Sequence, residues 1–147
     1  MKPDLDFATL IGSRICHDLI SPIGAVNNGL ELLSMTGVSA GPEMELIGGS
    51  VNSASARIRF FRIAFGSAGE QMMGAAETAQ TLQDYYAGTR WQVAWAPQDP
   101  MPRDQVRMAF LALLCLETGM PYGGALHVGL SGDRWTVIGK ADKLGID

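Results

Sequence analysis

Cysteine is scarce in this chain: two in 147 residues, Cys16 and Cys115, far apart and in no redox or metal-ligand spacing. Both have apolar neighbours, so they are read as reduced, buried thiols rather than a disulfide framework. Long apolar runs are missing too. No stretch approaches the ~20 residues that a membrane helix requires. The opening Met1-Lys2-Pro3-Asp4-Leu5-Asp6 lacks the charged-then-apolar layout of a secretory leader. No membrane association is expected, and the protein is read as cytoplasmic. An excess of basic charge is absent as well: 11 Lys and Arg face 15 Asp and Glu, for a net charge of −4 and a pI of about 5.1. Affinity for nucleic-acid phosphates comes from basic patches, so nucleic acid is not an expected partner. There is no internal repeat and no low-complexity segment.

What is present suits a globular domain or two small subdomains: 47% hydrophobic residues, 18% charged, and 18 glycines. From about Asp4 to Met35 the chain reads as one helix. Leu19, Ile23, Val26, Leu30 and Leu33 recur at four, three, four and three, a helical stripe. Residues 36–42 read as a loop. Pro42 suits the first turn of a second helix, with Glu43 and Glu45 near its positive end. In that helix Met44, Ile47, Val51, Ala54, Ile58, Phe61 and Phe65 alternate three and four apart, a heptad seam. Small residues from Gly48 to Ala56 allow a neighbouring helix to come close. Arg57, Arg59 and Arg62 favour the negative end of the helix, and Gly66 is a natural stop. Two antiparallel helices bury two apolar stripes poorly; two such hairpins do so as a four-helix bundle. A homodimer is therefore expected, the alternative being that the rest of the chain covers the hairpin.

From Gly69 onward the pattern changes. A short helix is predicted from about Gly74 to Tyr86 and a strand over Trp91–Trp95. Residues 97–102, with three prolines, form a rigid connector. A buried helix dense in Leu and Met follows, from Arg103 to about Thr118. Gly123-Gly124 is a turn, and 125–130 and 134–138 form a hairpin around Ser131-Gly132-Asp133. Trp91, Trp95 and Trp135 are expected to pack this part. The eight Met are read as core filler, and His127 as structural. The phosphate-loop reading of Gly123-Gly124 is weak because no Lys-Ser/Thr follows. The fold class is α+β, divided at residue 67 into a helical part, 1–67, and a mixed part, 68–147.

The chemistry lies in Ile15-Cys16-His17-Asp18-Leu19-Ile20-Ser21-Pro22-Ile23. With Leu19 at the centre of the buried stripe and ~100° per residue, Ile23, Val26, Leu30 and Leu33 fall within roughly 40° of it. His17 falls about 160° away, and Arg14, Ser21, Gly24 and Asn28 lie within ~60° of His17. His17 is thus expected to face water among small or polar neighbours, within reach of a protein partner. A neutral imidazole carries a free lone pair that can attack an acyl phosphate and later return the phosphoryl group. Such transfer needs mainly in-line positioning and charge stabilisation. Asp18 could orient the imidazole or hold its proton; Ser21, one turn on, could hydrogen-bond the phosphoryl group. Ser21-Pro22 could also start a helix. One long helix kinked at Pro22 is favoured, because Ile15 and Leu19 extend the downstream stripe in register.

His-Asp-Leu-Ile-Ser-Pro-Ile resembles the phosphoacceptor box of sensor histidine kinases. The longer stretches 15–18, 24–33 and 54–66 resemble the ChpT-type bacterial histidine phosphotransferases. The resemblance implies a dimeric helical-hairpin bundle for 1–67 and a small, degenerate kinase-ATPase-like α/β subdomain for 68–147. It implies a histidine phosphotransferase of a two-component phosphorelay. His17 would take a phosphoryl group from the receiver aspartate of a hybrid kinase and give it to the receiver of a response regulator. Docking would use the exposed face of the first helix, with Arg14, Gly24 and Asn28, and part of the second subdomain. Departures from a true kinase are plain: there is no Asp-x-Gly-x-Gly motif, and 108–117 lacks the asparagine of a metal-holding helix. No ATP, no resident metal and no other cofactor are expected; Mg²⁺ would come with the receiver. Family members are expected to continue with more strand and helix past Ile138, so the second subdomain is expected to be short or incomplete. The rival reading is a non-catalytic dimeric module that binds and regulates a kinase or receiver.

Overall fold

A computed structural model of the chain describes residues 3–37, 41–66 and 69–145, and only the backbone of 3–7, 14 and 18. It divides into two compact units, Met1–Ser67 and Ala68–Asp147.

The first unit is two helices, α1 (Pro3–Met35) and α2 (Pro42–Ala64). α1 runs unbroken for 33 residues through Pro22, so Ser21-Pro22 does not begin a new helix. It ends where Thr36 folds back onto Leu32 and Leu33 and Gly37 takes a φ of 78°. α2 begins at Pro42 with Glu43 and Glu45 in its first turn and carries Arg62 in its last. Of the expected loop, residues 38–40 lie outside the described residues. The start of α1 lies beside the end of α2: a Cβ on Gly12 would meet the Phe65 carbonyl oxygen at 3.2 Å, and one on Gly66 would lie 3.5 Å from the Ser13 Oγ. The hairpin is therefore antiparallel; glycine at position 12 permits the close approach, and glycine at 66 lets the chain turn past the Arg62 carbonyl at the end of α2.

The covered side of α1 differs from the sequence expectation. Its most protected residue is Cys16, 9% exposed, while Leu19, Val26 and Leu33 remain 44%, 48% and 43% exposed. Gly12, Ile23, Asn27 and Leu30 are half-buried. On a helical wheel that line is turned about 45° from Leu19, and Ile23 and Leu30 of the expected stripe lie on it. The physical reason is close approach: α2 packs along the small residues Gly12 and Cys16, which leaves the larger aliphatics open. On α2 the seam is covered at Ile58 and open at Ile47 and, at its C-terminal end, Phe65. Phe60 and Ile63, outside the seam, are buried.

In the second unit, β1 (Met72–Met73) pairs antiparallel with β3 (Met101–Pro102). α3 (Ala75–Tyr86) leads to β2 (Trp91–Trp95); α4 (Arg103–Gly119) follows β3 and precedes the hairpin β4 (Gly124–Ser131) and β5 (Arg134–Lys140). β4 is central, parallel to β2 and antiparallel to β5. The hairpin closes through Gly132, φ 62°, the first of two loop residues, as the right-handed strand twist favours. Leu82 of α3, Phe110 and Leu113 of α4, and Leu126 and Val128 of β4 form the core. Trp95 packs against Phe110 and Trp135 at centroid distances of 6.4 and 5.6 Å. The indole N–H groups of Trp91 and Trp135 donate to the Met120 carbonyl at 3.0 Å and to Gln105 at 3.1 Å.

Several expectations need correction here. The β1–β3 pair has no sequence signal, because two-residue strands carry no periodicity. α4 buries Val106, Ala109, Phe110 and Leu113 only; Met108 and Cys115 lie on its outer side and are exposed. Cys115 is thus not a buried thiol. Met73 and Met120 are core residues, but Met35, Met72 and Met108 are not. His127 does not enter the core either. It projects from the uncovered face of the sheet, opposite Ala94 and Ile138 in register, because odd positions of β4 point away from the helices.

Candidate functional site

His17 sits midway along α1 and is exposed. Its position follows from the helix that carries it: from the centre of the line covered by α2, His17 is turned about 115°. It therefore stands on the flank of the hairpin rather than opposite its partner helix. Pro22, one turn on, has no N–H, so the carbonyl of residue 18 lacks its helical donor. The backbone beside His17 thus offers a hydrogen-bond acceptor that an uninterrupted helix would not.

Ser21 and Asn28 are exposed on the same flank. Gly24 is half-buried, and a Cβ there would meet nothing within 4 Å, so the surface is low and open above it. The side chains of Asp18 and Arg14 lie outside the described residues. Ser13 closes the flank toward α2: its Oγ would lie 3.5 Å from a Cβ on Gly66. Arg57, Arg59 and Arg62 of α2 are all exposed.

The surroundings of His17 are less polar than the sequence reading held. Leu10 lies about 20° from it on the wheel and Ile20 about 60°, and both are exposed. The imidazole therefore stands between two aliphatic side chains that a partner could cover. The period-seven spacing of Leu10 and His17 carried that signal. Cys16 is buried as expected; Gly12 was missed as a packing residue, and its signal is a second small side chain one turn from Cys16.

Among the described residues no group of three His, Cys, Asp or Glu could hold a metal ion, and no helix is long and apolar enough to cross a membrane. The arrangement offers a nucleophilic nitrogen on a rigid helix, approachable from solvent, with small, polar and aliphatic surface around it.

Comparison with known proteins gives three findings. Residues 75–147 match the family described as "Histidine phosphotransferase C-terminal domain". The chain is 39% identical over 131 residues to the protein phosphotransferase ChpT of Brucella abortus (strain 2308), an alignment covering 87% of this chain and 62% of that protein. This chain thus spans less than two thirds of that relative's length. A solved structure described as a bacterial phosphotransferase superposes with a TM-score of 0.59 at 34% identity, covering 93% of this chain and 67% of the other.

Proposed function

The chain belongs to the ChpT-type histidine phosphotransferases, and from that premise we propose that it is a phosphorelay intermediate with His17 as the phosphoryl carrier. The observation that carries this reading is the exposed His17 within His-Asp-Leu-Ile-Ser-Pro-Ile on an unbroken helix. One imidazole nitrogen attacks the phosphorus of an aspartyl phosphate on the receiver of a hybrid kinase. An N–P bond forms as the O–P bond breaks, and the aspartate leaves as its carboxylate. The second transfer is the reverse process onto the aspartate of a response-regulator receiver. The rigid helix fixes the nucleophile, which supports in-line attack.

In this reading Asp18 orients the imidazole and Ser21 hydrogen-bonds the phosphoryl oxygens. Arg14, Gly24 and Asn28 lie under the docked receiver, joined by Leu10 and Ile20, whose burial would favour the complex. Mg²⁺ arrives with the receiver, and neither ATP nor a resident metal takes part. Two copies of the hairpin form a four-helix bundle. The open stripe of Leu19, Val26 and Leu33 supports this, since it lies away from His17 and would be covered without blocking it. The reaction is placed in the cytoplasm, where receivers are found.

The test is transfer of label from a phosphorylated hybrid-kinase receiver to wild type and to His17→Ala. Acid-labile, base-stable label on wild type only is expected. Label on neither, with receiver binding intact, would make the protein a steric regulator instead.

A further inference from the structure

One end of the sheet in the second unit carries a positively charged hollow with no part in the His17 chemistry. Its floor is the rung Gln92–Ala125–Lys140, three residues in register across β2, β4 and β5 on the uncovered face. Ala125 is short, so a depression remains between its longer neighbours. Arg90, Tyr122 and Lys143 form the walls, with Asp142 at the rim.

The cations are drawn together by the backbone. Gly123 and Gly124 have φ of 94° and 150°. A Cβ on Gly123 would collide with the Arg90 carbonyl oxygen, and one on Gly124 with that of Lys140. Only glycine lets the strand start pass between these residues. Two of the three cations are also held by local contacts. Arg90 donates from Nη1 to the Pro121 carbonyl at 3.2 Å, and the Lys143 ammonium lies 4.6 Å from the Tyr122 ring centroid. Three cations against one carboxylate stand out in a chain of net charge −4.

We propose that this hollow binds the phosphate group of a small phosphorylated compound. A dianion gains more from three converging cations than single carboxylates would. The hollow holds about 570 Å³, room for a small phosphorylated compound. Lys140 reaches the group from the floor, Arg90 and Lys143 from the sides, and the Gln92 amide donates a hydrogen bond. The glycine pair here shapes the hollow, and the cations come from distant positions instead of following it in sequence, as they do in a phosphate loop.

The test is calorimetric titration of the whole chain with inorganic pyrophosphate at about 0.1 M salt, where exposed charges are screened beyond roughly 10 Å. One saturable site per chain is expected, at least tenfold weaker in Lys140→Ala and in Arg90→Gln. Arg134→Gln, on the same strand but at its opposite end, should bind as wild type. Absence of saturable binding would overturn the proposal. So would equal affinity in Lys140→Ala, or equal loss in Arg134→Gln. Tighter binding of an oligoglutamate peptide than of pyrophosphate would also overturn it and reassign the hollow to an acidic protein surface.

Discussion

Leu19, Val26 and Leu33 on α1 keep 43–48% of their surface in solvent, whereas Leu82, Phe110, Leu113 and Val128 in the second unit keep none. Both units bury side chains completely, Phe60 and Ala64 among them in the first, but the first also leaves a row of large aliphatics open along one helix. A sheet with helices on one face buries a broad surface, and α3 and α4 cover that face here. Two helices touch along one line only, so the aliphatics to either side of that line remain open. The open row on α1 is the surface through which two hairpins would meet in the proposed dimer. His17 lies about 160° round α1 from Leu19 and would stay accessible in that dimer.

The contrast can be broken most forcibly at Leu19. In a symmetric dimer Leu19→Glu removes two buried leucines, a loss of about 3–6 kcal/mol at 1.5–3 kcal/mol each. Light scattering should then report a monomer whose second unit melts as before. A dimer that persists would show that this stripe is not the interface.

Phe110→Ala is the matching change in the second unit. It should cost about 3–5 kcal/mol in chemical denaturation followed by tryptophan fluorescence, with the oligomeric state unchanged. A loss below about 1 kcal/mol would mean that the core is not closed around Phe110.

Alkaline pH sharpens the same point. Burial, and then the hydrogen bond and charge of Glu117, push the Tyr86 phenol well above its usual range. The unfolded chain releases that proton near pH 10, at the ordinary tyrosine value, while the folded chain retains it. Stability is therefore full below about pH 10 and falls as pH rises above it. Tyr86→Phe should flatten that fall in an alkaline melting series; an unchanged slope would remove Tyr86 as its source.

The smallest effect is expected at Gly24. A Cβ there meets nothing within 4 Å, so Gly24→Ala should raise hairpin stability by about 0.5–1 kcal/mol through helix propensity alone. A drop in melting temperature would show that the flank is occupied in the assembled protein.

Much of the local structure was legible in the sequence. α3 was expected from Gly74 and begins at Ala75, and the strand at Trp91–Trp95 is β2. The hairpin at Ser131-Gly132-Asp133 lies where its turn residues put it, and α1 continues through Pro22 as the register of Ile15 and Leu19 required. These features were readable because period, capping and turn chemistry act over a few neighbouring residues. The exposed position of His17 came from the same source, a count of degrees along one helix. Cys115 and Met108 were misjudged because apolar neighbours in sequence do not specify which side of an element meets the core. The polar ring drawn around His17 omitted Leu10 because only residues near the motif were weighed.

The sequence by itself thus determined α1 to α4, the strands β2, β4 and β5, the exposed helical setting of His17 and the family to which the chain belongs. The tertiary structure alone decided which line of α1 packs on α2, since Gly12 and Cys16 are chosen by how closely a second helix can approach. It alone placed β2 beside β4, and it alone gathered Arg90, Lys140 and Lys143 around one glycine turn. Such pairings join residues tens of positions apart. They are set by the packing of whole elements against one another, which no local pattern records.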